Sequence, residues 1–450
     1  MEKNDISKIQ TKAQFFVVIN NFLAKEAYSG VILFSAAIIA IIWANTPWSA
    51  TYFNFWHTPV GLEISSHIID MELHQWVTDG LMTIFFFVIG LEIKRELIVG
   101  ELSSKRKAAF PIIAAIGGMV VPFLFYISVN LQSDGKISGF GIPMATDIAF
   151  VLGFILILGK RVPLALKVFI VTLAVVDDLG AVILIASFYT ESLNLAFIGF
   201  SALILIALML LNRIGVKELM PYLLLGIALW FFMEGSGIHT TIAGVLLAFT
   251  IPVHSKISTK QFVKICSFAV DEVKKGESKR KNILLTPEQQ DSLEYISDSY
   301  DAVQSPLVRL EHRLLPFSSF IVMPVFALAN AGIQISDINQ PIFQPVSLGI
   351  LLGLVLGKPI GIIGATYLGY RLGWIKKPSS CTWKHIIGAG ILGGVGFTMS
   401  MFISNLAFDN PDTLALAKLF IVGSSLLMGI IGVIYLWIIS RSEKTCDVVI

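Results

Sequence analysis

Long apolar runs separated by short polar segments dominate this chain and leave few folds open to it. A helix needs about 20 mostly apolar residues to cross ~30 Å of hydrocarbon, and on that rule the chain has about twelve candidate spans. They cover residues 29–44, 73–91, 108–131, 140–158, 164–189, 195–211, 219–233, 237–252, 316–331, 346–370, 386–408 and 414–439. Only 14% of the residues are charged, against roughly 25% in soluble globular proteins. The sequence therefore predicts an all-α integral membrane protein.

The lysines and arginines test this segmentation independently. Loops on the cytoplasmic side of a membrane are enriched in both residues. Here they concentrate in the N-terminus, in every second loop and in the C-terminal tail, and none occurs between Lys25 and Lys94. Only Lys136 and Lys418 fall near the opposite side. We therefore expect a multi-pass protein with both termini in the cytoplasm.

These boundaries divide the chain into five parts. They are a cytoplasmic N-terminus (1–28), spans one to eight (29–253), a long cytoplasmic loop (254–313), spans nine to twelve (314–440) and a cytoplasmic tail (441–450). The first apolar run is followed by Asn45-Thr46-Pro47 and not by a small-residue cleavage site, so we expect it to be retained as a span.

Two loops are long enough for structure of their own. In the outer loop, residues 60–64 and 68–73 flank Ser65-Ser66-His67, which favours a hairpin, with a disordered loop as the alternative. In the loop 254–313, Thr286, Pro287 and Gln289 have the pattern of a helix start. An amphipathic helix is expected to follow, after a basic stretch interpreted as a solvated linker.

Four charged residues lie well inside predicted spans, namely Asp147, Asp177, Asp178 and Lys358. Each such charge costs about 2.5–3.5 kcal/mol on an insertion scale. Intramembrane charges usually pair with one another and mark ion or proton pathways. The alternative is a buried ion-pair network that only stabilises helix packing. An adjacent pair of aspartates with a third aspartate and a lysine favours the functional interpretation.

Asp177 and Asp178 are neighbours on one predicted helix. Adjacent helical positions point about 100° apart, so the carboxyl groups reach different sides of one cavity. Burial and mutual repulsion favour the protonated form of such groups, which then titrate as a coupled set. Hard cations prefer oxygen ligands. The pair therefore predicts a site where sodium and protons compete.

Glycine and proline interrupt two spans. Gly141 and Pro143 precede Asp147 in the fourth span, and a run that includes Gly394 and Gly396 precedes Thr398 in the eleventh. The pattern predicts two broken helices, whose exposed ends carry partial charges that Asp147 and Lys358 would neutralise. Close helix packing is the alternative explanation of the glycines.

Five motifs resemble the NhaA sodium/proton antiporter family and follow its order along the chain. They are GLEIKREL (90–97), ATDIAF (145–150), VVDDLG (175–180), GKP (357–359) and GFTMS (396–400). Paired interrupted spans with a site at the midplane are described for secondary transporters, NhaA among them. The resemblance implies inverted-topology repeats, ion and proton binding by Asp177 and Asp178, with Asp178 as the direct ligand, and Thr146, Asp147 and Lys358 at the crossing of the broken helices.

The resemblance also implies how such a protein works. It implies electrogenic exchange of sodium or lithium for protons, activity at alkaline pH for sodium and pH homeostasis, a bacterial inner membrane and a homodimer joined by outer hairpins. It implies no cofactor, no nucleic-acid partner and no enzymatic activity. Its pH-response residues correspond to Glu92, Arg95, Glu96, His239, Glu311 and His312; ordinary interfacial charge is the alternative for each. The chain departs from the family in a longer loop 254–313 and in Leu315, where a histidine is expected.

Three other functions remain as alternatives. A sodium-coupled symporter on a related scaffold would need a second pocket for an organic solute. A membrane-embedded aspartyl hydrolase places its two aspartates on different helices, at close range, which adjacent residues suit poorly. A channel would pass sodium without regard to the proton gradient.

Overall fold

The computed structural model describes residues 28–64, 67–131, 135–190, 193–276, 286–334, 341–378 and 381–442. In that part of the chain, eight helices are long and apolar enough to cross a membrane, or up to ten if each of two bent helix pairs is one span. The predicted spans 219–233 and 237–252 are shorter apolar helices. The predicted helical membrane fold is confirmed, apart from one two-stranded sheet, and the number of about twelve crossings stays a prediction. The predictions for residues 1–27 and 443–450 lie outside the described residues.

The elements follow one another with short connections. They are α1 Tyr28–Ala44, α2 Ser49–Trp56, β1 Pro59–Ile64, β2 His67–Glu72, α3 Leu73–Ile98, α4 Lys105–Asn130, a 3₁₀ segment Ile137–Met144, α5 Ile148–Leu158, α6 Leu164–Phe188, α7 Leu195–Ile214, α8 Met220–Glu234, α9 Thr241–Thr250, α10 Thr259–Gly276, α11 Pro287–Val303, α12 Pro306–Asn330, α13 Pro345–Arg371, α14 Trp383–Gly393, α15 Phe397–Ala407 and α16 Pro411–Ser442.

The outer loop forms a β-hairpin, as one of the two alternatives predicted. Strands β1 and β2 pair antiparallel, in a register that sets Pro59 opposite Glu72 and Ile64 opposite His67. Residues 65 and 66, between the two strands, lie outside the described residues. His57, just before β1, contacts Glu72 at the end of β2 with 2.6 Å between Nδ1 and Oε2.

The chain forms two compact units. The first comprises residues 1–85, 96–191 and 317–450. Its helices α4 and α13 approach closely where two glycines face each other: a Cβ on Gly117 would lie 2.2 Å from the carbonyl oxygen of Gly361. The reciprocal distance, from a Cβ on Gly361 to the carbonyl oxygen of Gly117, would be 2.1 Å. Small residues let membrane helices pack backbone to backbone, so these two glycines allow the close approach of α4 and α13.

Both predicted broken helices are present in the first unit. The 3₁₀ segment ends at Met144 and α5 begins at Ile148, so residues 145–147 form the break. Helices α14 and α15 meet at residues 394–396 with a bend of 40°. The break requires glycine at 394, because a Cβ there would lie 2.5 Å from the carbonyl oxygen of Leu354. The glycines therefore serve packing and interruption at different positions.

The second unit comprises residues 86–95 and 192–316. It contains α7, α8 and α9, and a pair of contacting helices, α10 and α11. Helix α11 has the predicted capping box, in which the Thr286 hydroxyl accepts from the Gln289 backbone N–H and the Gln289 side chain accepts from that of Thr286. Helix α10 was not predicted. The signal for it was the recurrence of Ile265, Ala269 and Val273 at helical spacing.

Side chains cap the C-terminal end of the short helix α9. Lys94 Nζ donates to the carbonyl oxygens of Phe249 and Ile251, each at 2.6 Å. Asn212 Nδ2 donates to the carbonyl oxygen of Thr250, also at 2.6 Å. The last carbonyls of a helix have no partner within it, and a cation there is favoured by the helix dipole. These bonds join α3 and α7 to the end of α9.

Candidate functional site

Lys358 and Asp177 form a fully buried ion pair at the centre of the site. Lys358 Nζ lies 2.6 Å from Asp177 Oδ2, and both side chains are 0% exposed. The ammonium also donates to the carbonyl oxygen of Met144, the last residue of the 3₁₀ segment. This carbonyl belongs to the negative end of a helical segment, where a cation is favoured. The lysine thus neutralises both the carboxylate and one end of the first broken helix.

Thr146 lies in the break and joins Asp177 to the second broken helix. Its Oγ1 is 2.7 Å from Asp177 Oδ2 and 3.0 Å from the carbonyl oxygen of Gly393, the last residue of α14. A hydroxyl group has one proton but can also accept. It can therefore donate a hydrogen bond to a charged Asp177, or accept one from a protonated Asp177 while donating to the carbonyl oxygen of Gly393. Thr146 can satisfy either protonation state of that carboxyl group.

Asp147 binds the N-terminal ends of both broken helices. Its Oδ1 accepts from the Phe150 backbone N–H at 3.0 Å, which caps α5. Its Oδ2 accepts from the Thr398 backbone N–H at 3.0 Å, at the start of α15, and also from the Thr398 hydroxyl group. The side chain is buried. One carboxylate therefore caps two positive helix ends, the position expected for it from the sequence.

Asp147→Ala is expected to lower the free energy of unfolding by about 2–4 kcal/mol, because each lost cap contributes about 1 kcal/mol and the N–H groups at both helix ends stay buried without a partner. Thermal unfolding of the purified protein in detergent would measure the change. Asp147→Asn keeps an acceptor oxygen and should lose less. Equal melting temperatures for wild type and Asp147→Ala would contradict the capping role.

Asp178 follows Asp177 on α6, and its side chain is 2% exposed. Asp177 uses Oδ2 for all of its hydrogen bonds, while its Oδ1 is buried and has no hydrogen-bond partner among the residues that the structure describes. A buried carboxylate oxygen without a donor is costly unless it receives a proton or a cation. The site thus offers oxygen ligands from α6 beside the hydroxyl of Thr146, the donor type that hard cations prefer.

The six predicted pH-response residues are only partly brought together. Arg95 Nε lies 2.9 Å from Glu311 Oε1, and the Glu311 side chain is 3% exposed. His312, the next residue, is close enough to Arg95 for their charges to interact. Glu92 lies one helical turn before Arg95 on α3. Glu96 Oε2 accepts from the Glu101 backbone N–H at 2.9 Å, near the end of α3.

His239 lies apart in sequence from that group, two residues before the start of α9. Its carbonyl oxygen accepts from the Ile242 backbone N–H at 3.1 Å, in the first turn of the helix. This contact uses the backbone alone, so a pH-response role of the His239 side chain stays a prediction.

Sequence reasoning missed three groups of the site. The carbonyl oxygens of Met144 and Gly393 are backbone acceptors that no residue type reveals. Ser425 Oγ on α16 accepts from the Gly396 and Phe397 backbone N–H groups, at 3.3 and 3.0 Å. The adjacent serines 424 and 425 within an apolar helix were the available signal.

Comparisons with known proteins identify the family of this chain. The family model described as Na+/H+ antiporter 1 matches residues 20–436. The chain belongs to this family. A relative named Na(+)/H(+) antiporter NhaA from Wolinella succinogenes is 49% identical over 424 residues, which cover 94% of this chain and 94% of the relative. A relative of the same name from Helicobacter pylori strain G27 is 48% identical over 435 residues, covering 96% and 98%.

Family membership confirms the resemblance carried by the five sequence motifs. Among solved structures, the sodium proton antiporter MjNhaP1 from Methanocaldococcus jannaschii aligns over 97% of this chain and 98% of its own, with 14% identity and a TM-score of 0.47. The chain is a multi-pass membrane protein, as its long apolar helices and its family indicate.

Proposed function

We propose that this protein exchanges sodium for protons across the membrane and uses the proton gradient to expel sodium. The observation that carries the proposal is the pair of buried carboxylates, Asp177 and Asp178, beside Lys358 and two broken helices. The family and its relatives named Na(+)/H(+) antiporters support the same function. They give no support to the sodium-coupled symporter. The family is a family of transporters, which agrees with the expectation that the protein is not an enzyme.

Competition for the same oxygens supplies the exchange. With Asp177 and Asp178 protonated, Lys358 has no anionic partner at Asp177, and the site holds two exchangeable protons. Sodium entering from the cytoplasm displaces these protons and binds the carboxylate oxygens, with Asp178 as the direct ligand and Thr146 as a neighbouring donor of oxygen. Release on the outer side leaves charged carboxylates, which Lys358 and new protons neutralise. Two protons per sodium make the cycle electrogenic, and lithium, another hard cation, fits the same oxygens.

The cell biology follows from the same proposal. We place the protein in a bacterial inner membrane with both termini in the cytoplasm, since loops rich in lysine and arginine alternate with loops that have almost none. The β1–β2 hairpin projects a two-stranded sheet on the outer side. An isolated two-stranded sheet is marginally stable, which supports pairing of hairpins in a homodimer.

A flux assay tests the proposed function directly. The purified protein is reconstituted into vesicles with an acidic interior and a pH-sensitive dye, without any organic solute. Adding sodium outside is expected to alkalinise the lumen, and the response should grow as the pH rises from about 6.5 to 8.5, a range set by groups that titrate near neutrality. No response to sodium or lithium at any pH would overturn the proposal. Sodium uptake that ignores the proton gradient would indicate a channel.

We assign the pH response to Glu92, Arg95, Glu96, Glu311 and His312, with the Arg95–Glu311 pair at its centre. Glu311→Gln is expected to lower the pH of half-maximal activity by about one unit. Removing a negative charge lowers the pKa of neighbouring titratable groups, so they lose their protons at lower pH. The pH profile of the flux assay measures this shift.

Asp301→Asn is the matched control for Glu311→Gln. It breaks an exposed pair with Arg313, whose Nη2 lies 3.3 Å from Asp301 Oδ2, with side chains 66% and 44% exposed. Exposed ion pairs contribute little, so the profile should stay in place. Equal shifts in both variants would show that the response is a general surface-charge effect.

A further inference from the structure

Helices α10 and α11 of the second unit carry opposite charge. The sequence of α10, Thr259–Gly276, contains four lysines and two carboxylates. The sequence of α11, Pro287–Val303, contains five carboxylates and no lysine or arginine. Helices α10 and α11 contact each other and form a helical hairpin, which we call the α10–α11 hairpin. It therefore has a basic side and an acidic side. Neither side has a role in the proposed ion site.

The exposed side of α10 combines lysines with large apolar side chains and one carboxylate. Lys260, Lys264 and Asp271 are exposed. Val263 and Phe268 are 60% and 63% exposed, whereas Ala269 is 1% exposed on the side packed against α11. An apolar surface beside lysines, on a helix of low overall hydrophobicity, is typical of helices that lie in a membrane interface.

Backbone contacts fix the hairpin beside the ends of two helices of the same unit. The Leu307 backbone N–H, at the start of α12, donates to the Pro252 carbonyl oxygen at 3.2 Å, just after α9. The Lys256 backbone N–H donates to the Ala302 carbonyl oxygen at 2.9 Å, which closes the base of the hairpin. Helix α10 begins nine residues after α9 ends, a reach of at most ~30 Å. The start of α10 therefore lies near the end of α9, a short apolar helix.

We propose that α10 docks on the anionic headgroups of the cytoplasmic membrane surface. Lys260 and Lys264 contact the lipid phosphates, and Val263 and Phe268 enter the boundary between headgroups and acyl chains. The acidic helix α11 faces away from the bilayer, because its carboxylates are repelled by the same headgroups. This inference rests on the proposed cytoplasmic position of the loop, but not on antiport itself.

A fluorescent reporter in nanodiscs tests the docking. Ser267, which is exposed on α10, is replaced by cysteine in the full chain with Cys266, Cys381 and Cys446 changed to serine, and an NBD group is attached. Nanodiscs contain either phosphatidylcholine alone or an equal mixture with phosphatidylglycerol, and both faces are open to solvent, so the result does not depend on topology. We expect blue-shifted emission and quenching by spin-labelled lipid in the anionic nanodiscs only.

The matched control is Ser297→Cys, exposed on the acidic helix α11, which should remain in water in both lipids. Lys260→Glu with Lys264→Glu should reduce the docked fraction at least about fivefold, given the contribution of each lysine near an anionic surface. Sodium-dependent proton exchange shows that each labelled protein is folded. Equal emission and quenching of the Ser267 probe in both lipids would overturn the proposal. A probe that stays in water in both lipids would also overturn it and would indicate that this face of α10 binds a soluble partner. A lipid response from the Ser297 probe alone does so as well.

Discussion

Asp178→Asn is expected to reduce sodium-dependent proton exchange by about 10²–10⁴-fold, the equivalent of the ~3–5 kcal/mol that a buried charged partner contributes. Asparagine keeps the size of the side chain and one acceptor oxygen, but it can neither take up a proton nor neutralise a bound cation. The effect should be larger than that of most substitutions in the protein because Asp178 is buried next to Asp177 and is the proposed direct ligand. Dye-reported flux in vesicles measures it.

The control is Asp291→Asn on α11, where the carboxylate is exposed. This variant should transport like the wild type. Calorimetry of sodium binding would separate loss of the site from loss of folding. A variant of Asp178 that melts at the normal temperature but releases no heat of sodium binding has lost the ion ligand and not the fold. Transport by Asp178→Asn within about twofold of the wild-type rate, a difference of less than about 1 kcal/mol, would contradict the assignment of Asp178 as the direct ion ligand.

Lys358→Met is expected to lower the free energy of unfolding by about 3–5 kcal/mol, the second large effect. Methionine has similar length, so the main change is the loss of the ammonium group. Asp177 and the Met144 carbonyl oxygen would then remain buried without their donor. Thermal unfolding in detergent should show a clear fall in melting temperature.

A double-mutant cycle isolates the pair. Asp177→Asn combined with Lys358→Met leaves no unpaired charge, so the double variant should be more stable than Lys358→Met alone. Coupling between residues in contact commonly amounts to about 0.5–3 kcal/mol. Additive losses would mean that the 2.6 Å contact between Lys358 and Asp177 contributes no interaction of its own. Lys358→Arg keeps the charge and provides the matched control.

Much of the fold could be predicted from local sequence. Spans are visible because hydrocarbon accepts only apolar segments of sufficient length, and the break before Asp147 is visible because Gly141 and Pro143 interrupt a helix. The capping box of Thr286 and Gln289 is likewise a local signal. The missed helix α10 shows the limit of this reasoning, because a basic stretch near its end was interpreted as a linker.

The sequence by itself determined that this chain spans a membrane and that its intramembrane charges must be paired. An isolated charge in hydrocarbon is costly, and this cost does not depend on which residue of the chain could pair with it. Only the tertiary structure decided the partners. Lys358 meets Asp177 across 181 positions of the chain, and Asp147 reaches Thr398 across 251. Such pairings depend on how the helices cross, which is a property of packing between distant segments, whereas insertion into a bilayer depends on each segment alone.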